Sequence, residues 1–233
     1  MDEYNWKWKW TDIASDAQSR FDMPLLYRVV AESIEKPGLL KWRRHGIGCL
    51  QAYLLEDAAQ EIRVHIWHPD IARAGIAEHG DVHDHRFTLI SSVLVGALEH
   101  TEVDIIEDPE GEYRMYEVVH AREDLGARYE VVPGPLRYVM GQPNQAPEWY
   151  RLVRRPGIID AGTAYRFHRG AYHCSKPRGF TITLVTKTDQ IAKKARIIAK
   201  PEPVHAFEPD DPFDMAPYIE RAVEELRTTG AQL

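Results

Sequence analysis

Two histidines two residues apart, His83-Asp84-His85, stand at the head of an apolar, β-branched run that closes on Gly96. In a strand, side chains alternate between faces, so His83 and His85 share one face and Asp84 takes the other. Two imidazoles side by side supply two thirds of a metal site. A chain with this feature is constrained to a β architecture that brings a third ligand to the same face.

The periodicity along the rest of the chain fits that demand. Cys49–Leu55 and Glu61–Trp67 alternate at period two and read as strands. In the second, Ile62, Val64 and Ile66 share one face, and Arg63, His65 and Trp67 share the other. An apolar face opposite one with Arg, His and Trp suits a wall whose second face lines a cavity or meets solvent. In a pocket, Arg63 is suited to hold a carboxylate by paired hydrogen bonds. Ala97–Ile106 and Glu112–His120, joined by Asp108-Pro109-Glu110-Gly111, are expected to form a hairpin. Further strands are expected at 127–132, 136–140, 149–154, 163–168 and 180–186. Short strands at such spacing mean a sandwich or barrel rather than βαβ units.

Helices frame this region. Pro24–Lys36 carries an apolar stripe of Leu25, Leu26, Val29, Val30 and Ile34 and stops at Pro37-Gly38. Pro217–Arg227 carries Ile219, Ala222, Val223 and Leu226. The expected division is a helical segment over 1–47, a β-barrel over 48–190, and a tail with a helix over 191–233. Near the N-terminus, Trp6-Lys7-Trp8-Lys9-Trp10 reads as an edge strand or arm packing its tryptophans, in preference to a nucleic-acid strip.

Composition excludes some partners. A net charge of −7 argues against general phosphate-backbone binding, hence no nucleic acid. No apolar run approaches the length of a membrane span, and the first ten residues hold no apolar signal core, so no membrane association is expected. Two cysteines, Cys49 and Cys174, far apart in sequence, fit a reducing cytoplasm rather than a disulfide framework.

The stretch from Gly80 to Gly96 resembles the first motif of the cupin superfamily: glycine, His-x-His, a carboxylate, closing glycine. Gly162-Thr-Ala-Tyr-Arg-Phe-His168-Arg-Gly170-Ala-Tyr-His173 resembles the second, with His168 where that motif has proline. The resemblance covers roughly the central half of the chain. It implies a mainly β, double-stranded β-helix (a jelly-roll-like barrel) and makes His173 the third ligand, completing a set of His83, His85 and His173. The motif's glutamate should fall at Leu89, where no carboxylate stands. Three neutral ligands without that carboxylate are similar to the thiol dioxygenases, such as cysteine dioxygenase. On this resemblance the cofactor is Fe(II), with Zn, Ni or Mn as alternatives, and the partners are O2 and a small carboxylate- or thiol-containing substrate. Arg63 is the nearest analogue of their carboxylate clamp. Tyr165 and His168 are the nearest candidates for their Ser-His-Tyr relay. The crosslinking cysteine of some members is missing. Pairing of edge strands into a homodimer is also implied. Two other readings stay open: a non-oxidative isomerase, epimerase or lyase using the metal as a Lewis acid, and a non-catalytic ligand-binding barrel.

Overall fold

The computed structural model describes residues 23–56, 61–73, 77, 80–120, 127–131, 136–139, 142–145, 149–189, 194–201 and 213–232. The Trp/Lys segment at 6–10 lies outside these residues. Fifteen strands are described: β1 (Arg43–His45), β2 (Cys49–Glu56), β3 (Glu61–Trp67), β4 (Val82–His83), β5 (Thr88–Val95), β6 (Ala97–Glu107), β7 (Arg114–His120), β8 (Ala127–Val131), β9 (Leu136–Val139), β10 (Gln142–Gln145), β11 (Tyr150–Asp160), β12 (Ala164–Phe167), β13 (Tyr172–Pro177), β14 (Thr181–Thr188) and β15 (Arg196–Ala199). Helices α1 (Met23–Glu35) and α2 (Ala216–Ala231) flank them.

The strands form two antiparallel sheets, one ordered β1-β2-β3-β14-β5-β12 and the other β11-β6-β13-β4-β15-β7-β8, plus a β9/β10 hairpin. The first sheet is two-faced, as the alternation in β3 requires. Ile62, Val64 and Ile66 join Leu50, Ala52, Leu94, Ile182 and Leu184 on its apolar face. Leu26, Val29, Val30 and Ile34 of α1, with Ala222 and Leu226 of α2, pack on that face. Burying each such aliphatic side chain contributes about 1.5–3 kcal/mol. The Tyr27 hydroxyl donates to the Leu94 carbonyl and ties α1 to β5. With its apolar face covered by helices, the sheet turns its Arg63, His65 and Trp67 face toward the second sheet.

One expectation about the strands is overturned and another is extended. Ala97–Glu107 and Arg114–His120 do not pair as a hairpin. The 108–111 turn forms, with Gly111 N–H donating to the Asp108 carbonyl at 2.9 Å. Beyond it, however, β6 pairs along its whole length with β11, and β7 pairs with β8 and β15. The strand expected at 149–154 runs on to Asp160 through Pro156-Gly157. Proline is tolerated because β11 is the outer strand of its sheet, where a missing N–H leaves no ladder bond broken.

The sheet region also reaches past residue 190. Arg196–Ala199, expected in the tail, forms β15 and sits between β4 and β7. Its Ile197 and Ile198 are buried, so two apolar residues inside a basic stretch mark the strand.

Two motif glycines owe their identity to close approach. Gly96, at φ +75°, is where the chain passes from β5 in one sheet to β6 in the other; a Cβ there would lie 2.3 Å from the Phe180 carbonyl oxygen. A Cβ on Gly80 would lie 2.3 Å from the Ile198 carbonyl oxygen of β15.

Candidate metal centre

His83 and His173 face each other across the β4/β13 ladder as direct register partners. That placement puts two side chains on one face at the closest spacing a sheet offers. His85 follows just beyond β4, where the chain leaves one sheet for the other. The apolar run 88–95 therefore continues in the opposite sheet, not in the strand of His83. The carbonyl of His85 accepts the N–H of Gly170 at 2.9 Å, and the Gly96 carbonyl accepts that of Ala161 at 2.9 Å. These bonds stitch the two histidine segments together.

The three rings converge. Centroids lie 4.9 Å apart for His83 and His85, 4.6 Å for His83 and His173, and 5.0 Å for His85 and His173. One ring nitrogen from each falls within 4.8 Å of the others. The architecture is a sandwich of two antiparallel sheets. Burial lowers the pKa of all three histidines, so at neutral pH each presents a lone pair. His83 Nδ1 lies 3.0 Å from the Asp81 carbonyl oxygen, which fixes Nδ1 as the protonated nitrogen and leaves Nε2 for a ligand role. His173 Nδ1 is buried without a hydrogen-bond partner. Three neutral, convergent imidazoles fit a divalent transition metal.

Asp84, between the two ligand-type histidines, points the other way and is 3% exposed. Its carboxylate accepts the Arg196 backbone N–H at 2.6 Å, Nε at 2.8 Å and Nη2 at 2.5 Å. Asp84 N–H in turn donates to the Arg196 carbonyl at 2.9 Å.

Apolar rings close the site. Phe87 stacks on His85 with centroids 4.8 Å apart, and Phe167 lies 4.2 Å from His173. Leu89, at the position where the resemblance expects a carboxylate, is buried with Phe87, Phe167 and Val185. The substitution of a carboxylate by leucine is thus part of a dry, apolar rim.

The remaining candidates divide. Tyr165 faces the interior, its centroid 5.0 Å from that of His100 and its hydroxyl flanked by Ser91 and Ser175; burial raises its pKa. His168 is exposed in the turn before β13 and forms none of the ring contacts that surround His173. The histidine beside Tyr165 is His100, which is buried, bonded through Nδ1 to Ser175 Oγ at 3.1 Å, and 5.2 Å from the His173 ring. His100 carried no sequence signal, because it stands in β6, whose pairing partner was misassigned.

Arg63 lies on the interior face, but its fork is engaged within the protein. Nη1 donates to Gln51 Oε1 at 3.2 Å, Nη2 to the Tyr53 hydroxyl at 2.6 Å, and Nε pairs with Glu61. Lys187 was not singled out in the sequence, although it shares a face with Thr183 and Val185. It is 9% exposed, and its Nζ lies 2.6 Å from Glu61 and 4.3 Å from the Phe87 ring centroid. His65 is also buried on this wall, with both ring nitrogens unpartnered.

No family model and no curated protein matches the chain. Among solved structures, the chain is similar to an RmlC-like cupin from Shewanella frigidimarina, at 13% identity over 66% of this chain and 86% of that one, TM-score 0.32. It is similar to hydroxypropylphosphonic acid epoxidase from S. wedmorenis in complex with fosfomycin, at 9% identity over 66% and 58%, TM-score 0.35. It is also similar to hydroquinone 1,2-dioxygenase from Sphingomonas sp. TTNP3 with 4-hydroxybenzoate bound, at 9% identity over 60% and 65%, TM-score 0.30. The chain thus spans 58% of the length of the epoxidase chain. No described helix is long and apolar enough to cross a membrane.

Proposed function

We propose that the protein is a metal-dependent enzyme of cupin type, a non-haem Fe(II) dioxygenase acting on a small carboxylate- or thiol-containing substrate. The observation that carries this reading is the convergence of His83, His85 and His173, three neutral ligands with no carboxylate among them. Fe(II) held by three neutral imidazoles would keep a high charge and open positions, the requirement for taking a chelating substrate together with dioxygen.

The chain's own residues supply the rest. Phe87, Leu89 and Phe167 exclude water from the ring cluster and lower the local dielectric around it. Tyr165, with its pKa raised by burial, keeps its proton at neutral pH and can donate it at the hydroxyl. His100 and Ser175 beside it complete a hydrogen-bonding run that can carry a proton toward or away from that oxygen.

The test has two steps. Metal analysis of protein purified without added metal separates this reading from a metal-free binding barrel. Dioxygen uptake by the Fe(II)-loaded protein with a panel of thiols and small carboxylates separates it from a Lewis-acid isomerase or lyase. Stoichiometric binding of iron with substrate-dependent oxygen consumption is expected. Full metal content and activity in His173→Ala would overturn the assignment.

A further inference from the structure

The interior wall facing the histidines carries two cations, Lys187 buried and Arg63 partly buried, that share one carboxylate. Glu61 pairs with Lys187 Nζ at 2.6 Å and with Arg63 Nε. The three side chains therefore keep one positive charge in a region largely removed from water. Arg43 adds a cation at the outer end of the wall, donating to the Tyr53 hydroxyl at 2.6 Å. Burial first, and the Arg63 charge second, push the Lys187 ammonium down to about 8. The larger part of that shift is loss of solvent around the ammonium, with the neighbouring guanidinium adding to it and Glu61 opposing it.

Of the carboxylates on this wall Glu61 is the inner one; Glu56, its register partner on β2, is exposed at the outer end. Asp84 is turned to the far side of its strand and held by Arg196. The three ligand-type histidines are neutral, so a divalent ion among them adds two further positive charges. An uncompensated buried charge is costly, and the protein leaves the compensation to whatever binds.

The geometry says where such a ligand lies. Lys187 Nζ rests on the Phe87 ring, and Phe87 stacks on His85. In the sheet, Lys187 is the register partner of Leu89, and Leu89 of Phe167, which touches His173. One layer of apolar side chains, Phe87, Leu89 and Phe167, thus separates the lysine from the histidine cluster. An anionic end at Lys187, a short carbon chain along this layer and a chelating end at the metal complete the arrangement. Arg63 is the poorer anion receptor, since Gln51, Tyr53 and Glu61 already engage all three of its nitrogens.

We propose that Lys187 is the anion-recognition residue of the site, and that with Arg63 and Glu61 it restricts the substrate to small organic anions lacking an ammonium group. This deepens the reading given above and rests on it for the position of the chelating end. A substrate ammonium would sit among cations with no free carboxylate to accept it.

The experiment uses full-length protein loaded with Co(II), whose visible bands report a thiolate entering the metal, titrated with 3-mercaptopropionate, cysteine and cysteamine. These probes share a chain length and differ in charge. The acid is expected to half-saturate at roughly tenfold or more lower concentration than either amine-bearing probe. Lys187→Met should erase most of that preference while leaving the cobalt bands of the ligand-free protein unchanged, and Lys187→Arg should restore it. Equal half-saturation by cysteine, or a preference retained in Lys187→Met, overturns the proposal. A protein that takes up no cobalt instead counts against the metal reading. In that case, calorimetry of the acid with metal-free protein still decides the lysine's role. Binding lost in Lys187→Met supports it; unchanged binding, or none to the wild-type chain, overturns it.

Discussion

Asp84 and Arg196, more than a hundred residues apart in the chain, form a closed pair: the carboxylate takes three N–H donors of one arginine, and the two backbones exchange a further bond. The pair holds the His83-Asp84-His85 segment against β15, so the histidine rings are aimed by an interaction on the opposite face. The Arg196 guanidinium also lies 5.2 Å from the Tyr172 ring, beside His173. Arg196→Met would leave the buried carboxylate with the backbone N–H of residue 196 as its remaining donor from that residue, at a cost of about 1–3 kcal/mol. Metal affinity should fall about 10–100-fold, the usual consequence of losing the support behind a ligand. Urea unfolding and competition against a chelator measure the two effects. Unchanged metal affinity in a folded variant would show that the pair has no positioning role.

Gly96→Ala should be among the most damaging single-methyl changes in the protein. The residue sits at φ +75°, and the added carbon would lie 2.3 Å from a backbone oxygen of Phe180 that cannot swing away. A loss of roughly 2 kcal/mol or more is expected, seen as a lower urea midpoint. A midpoint within error of wild type would contradict the described crossing between sheets.

Stability should decline below the ordinary histidine range. Burial lowers the pKa of His65, His83, His85 and His173, and burial with nearby cations pushes that of His45 down to about 3. Above pH ~6.5 these groups are neutral both folded and unfolded, and their full contribution is present. As pH falls below that value the unfolded chain takes up protons that the folded chain refuses. Each histidine then removes up to about 1.4 kcal/mol per pH unit until its folded pKa is reached. Urea midpoints of metal-free protein at pH 7.5, 6.5 and 5.5 should therefore drop steeply over the last step. A flat profile would mean the rings are not buried neutral.

Tyr165→Phe should separate chemistry from metal binding. The hydroxyl is flanked by Ser91 and Ser175 and is not one of the converging nitrogens, so metal content should stay near wild type. Turnover should fall by a factor on the order of 10²–10⁴, the range for losing a positioned proton donor. His100→Phe, which breaks the bond to Ser175, should act in the same direction, whereas His168→Ala should leave turnover unaltered because that side chain is exposed in its turn. Equal losses in all three variants would undo the distinction drawn between His100 and His168.

Much of the site was legible before any tertiary information. The period-two spacing of His83 and His85, and the matched glycine-to-histidine segment ending at His173, identified all three converging rings. The alternation in β3 correctly separated an apolar face from a polar one. What could not be read was pairing between distant strands. Asp108-Pro109-Glu110-Gly111 is a genuine turn, but a turn does not specify which strand its flanks will bond. The misassigned hairpin hid His100, and the Pro156-Gly157 pair disguised the outer half of β11. His168 looked equivalent to its neighbours because exposure in a turn leaves no mark on spacing.

The sequence by itself determined the local patterns: which residues alternate, which helical faces are apolar, and which three histidines occupy motif positions. These depend on side-chain period and on backbone requirements of nearby residues, and such requirements are written locally. Only the tertiary structure decided that Arg196 serves Asp84, that His100 stands beside Tyr165, and that Lys187 and Arg63 share Glu61. Each of those relationships joins strands separated by many residues, and long-range register is set by the packing of whole faces, which no local period encodes.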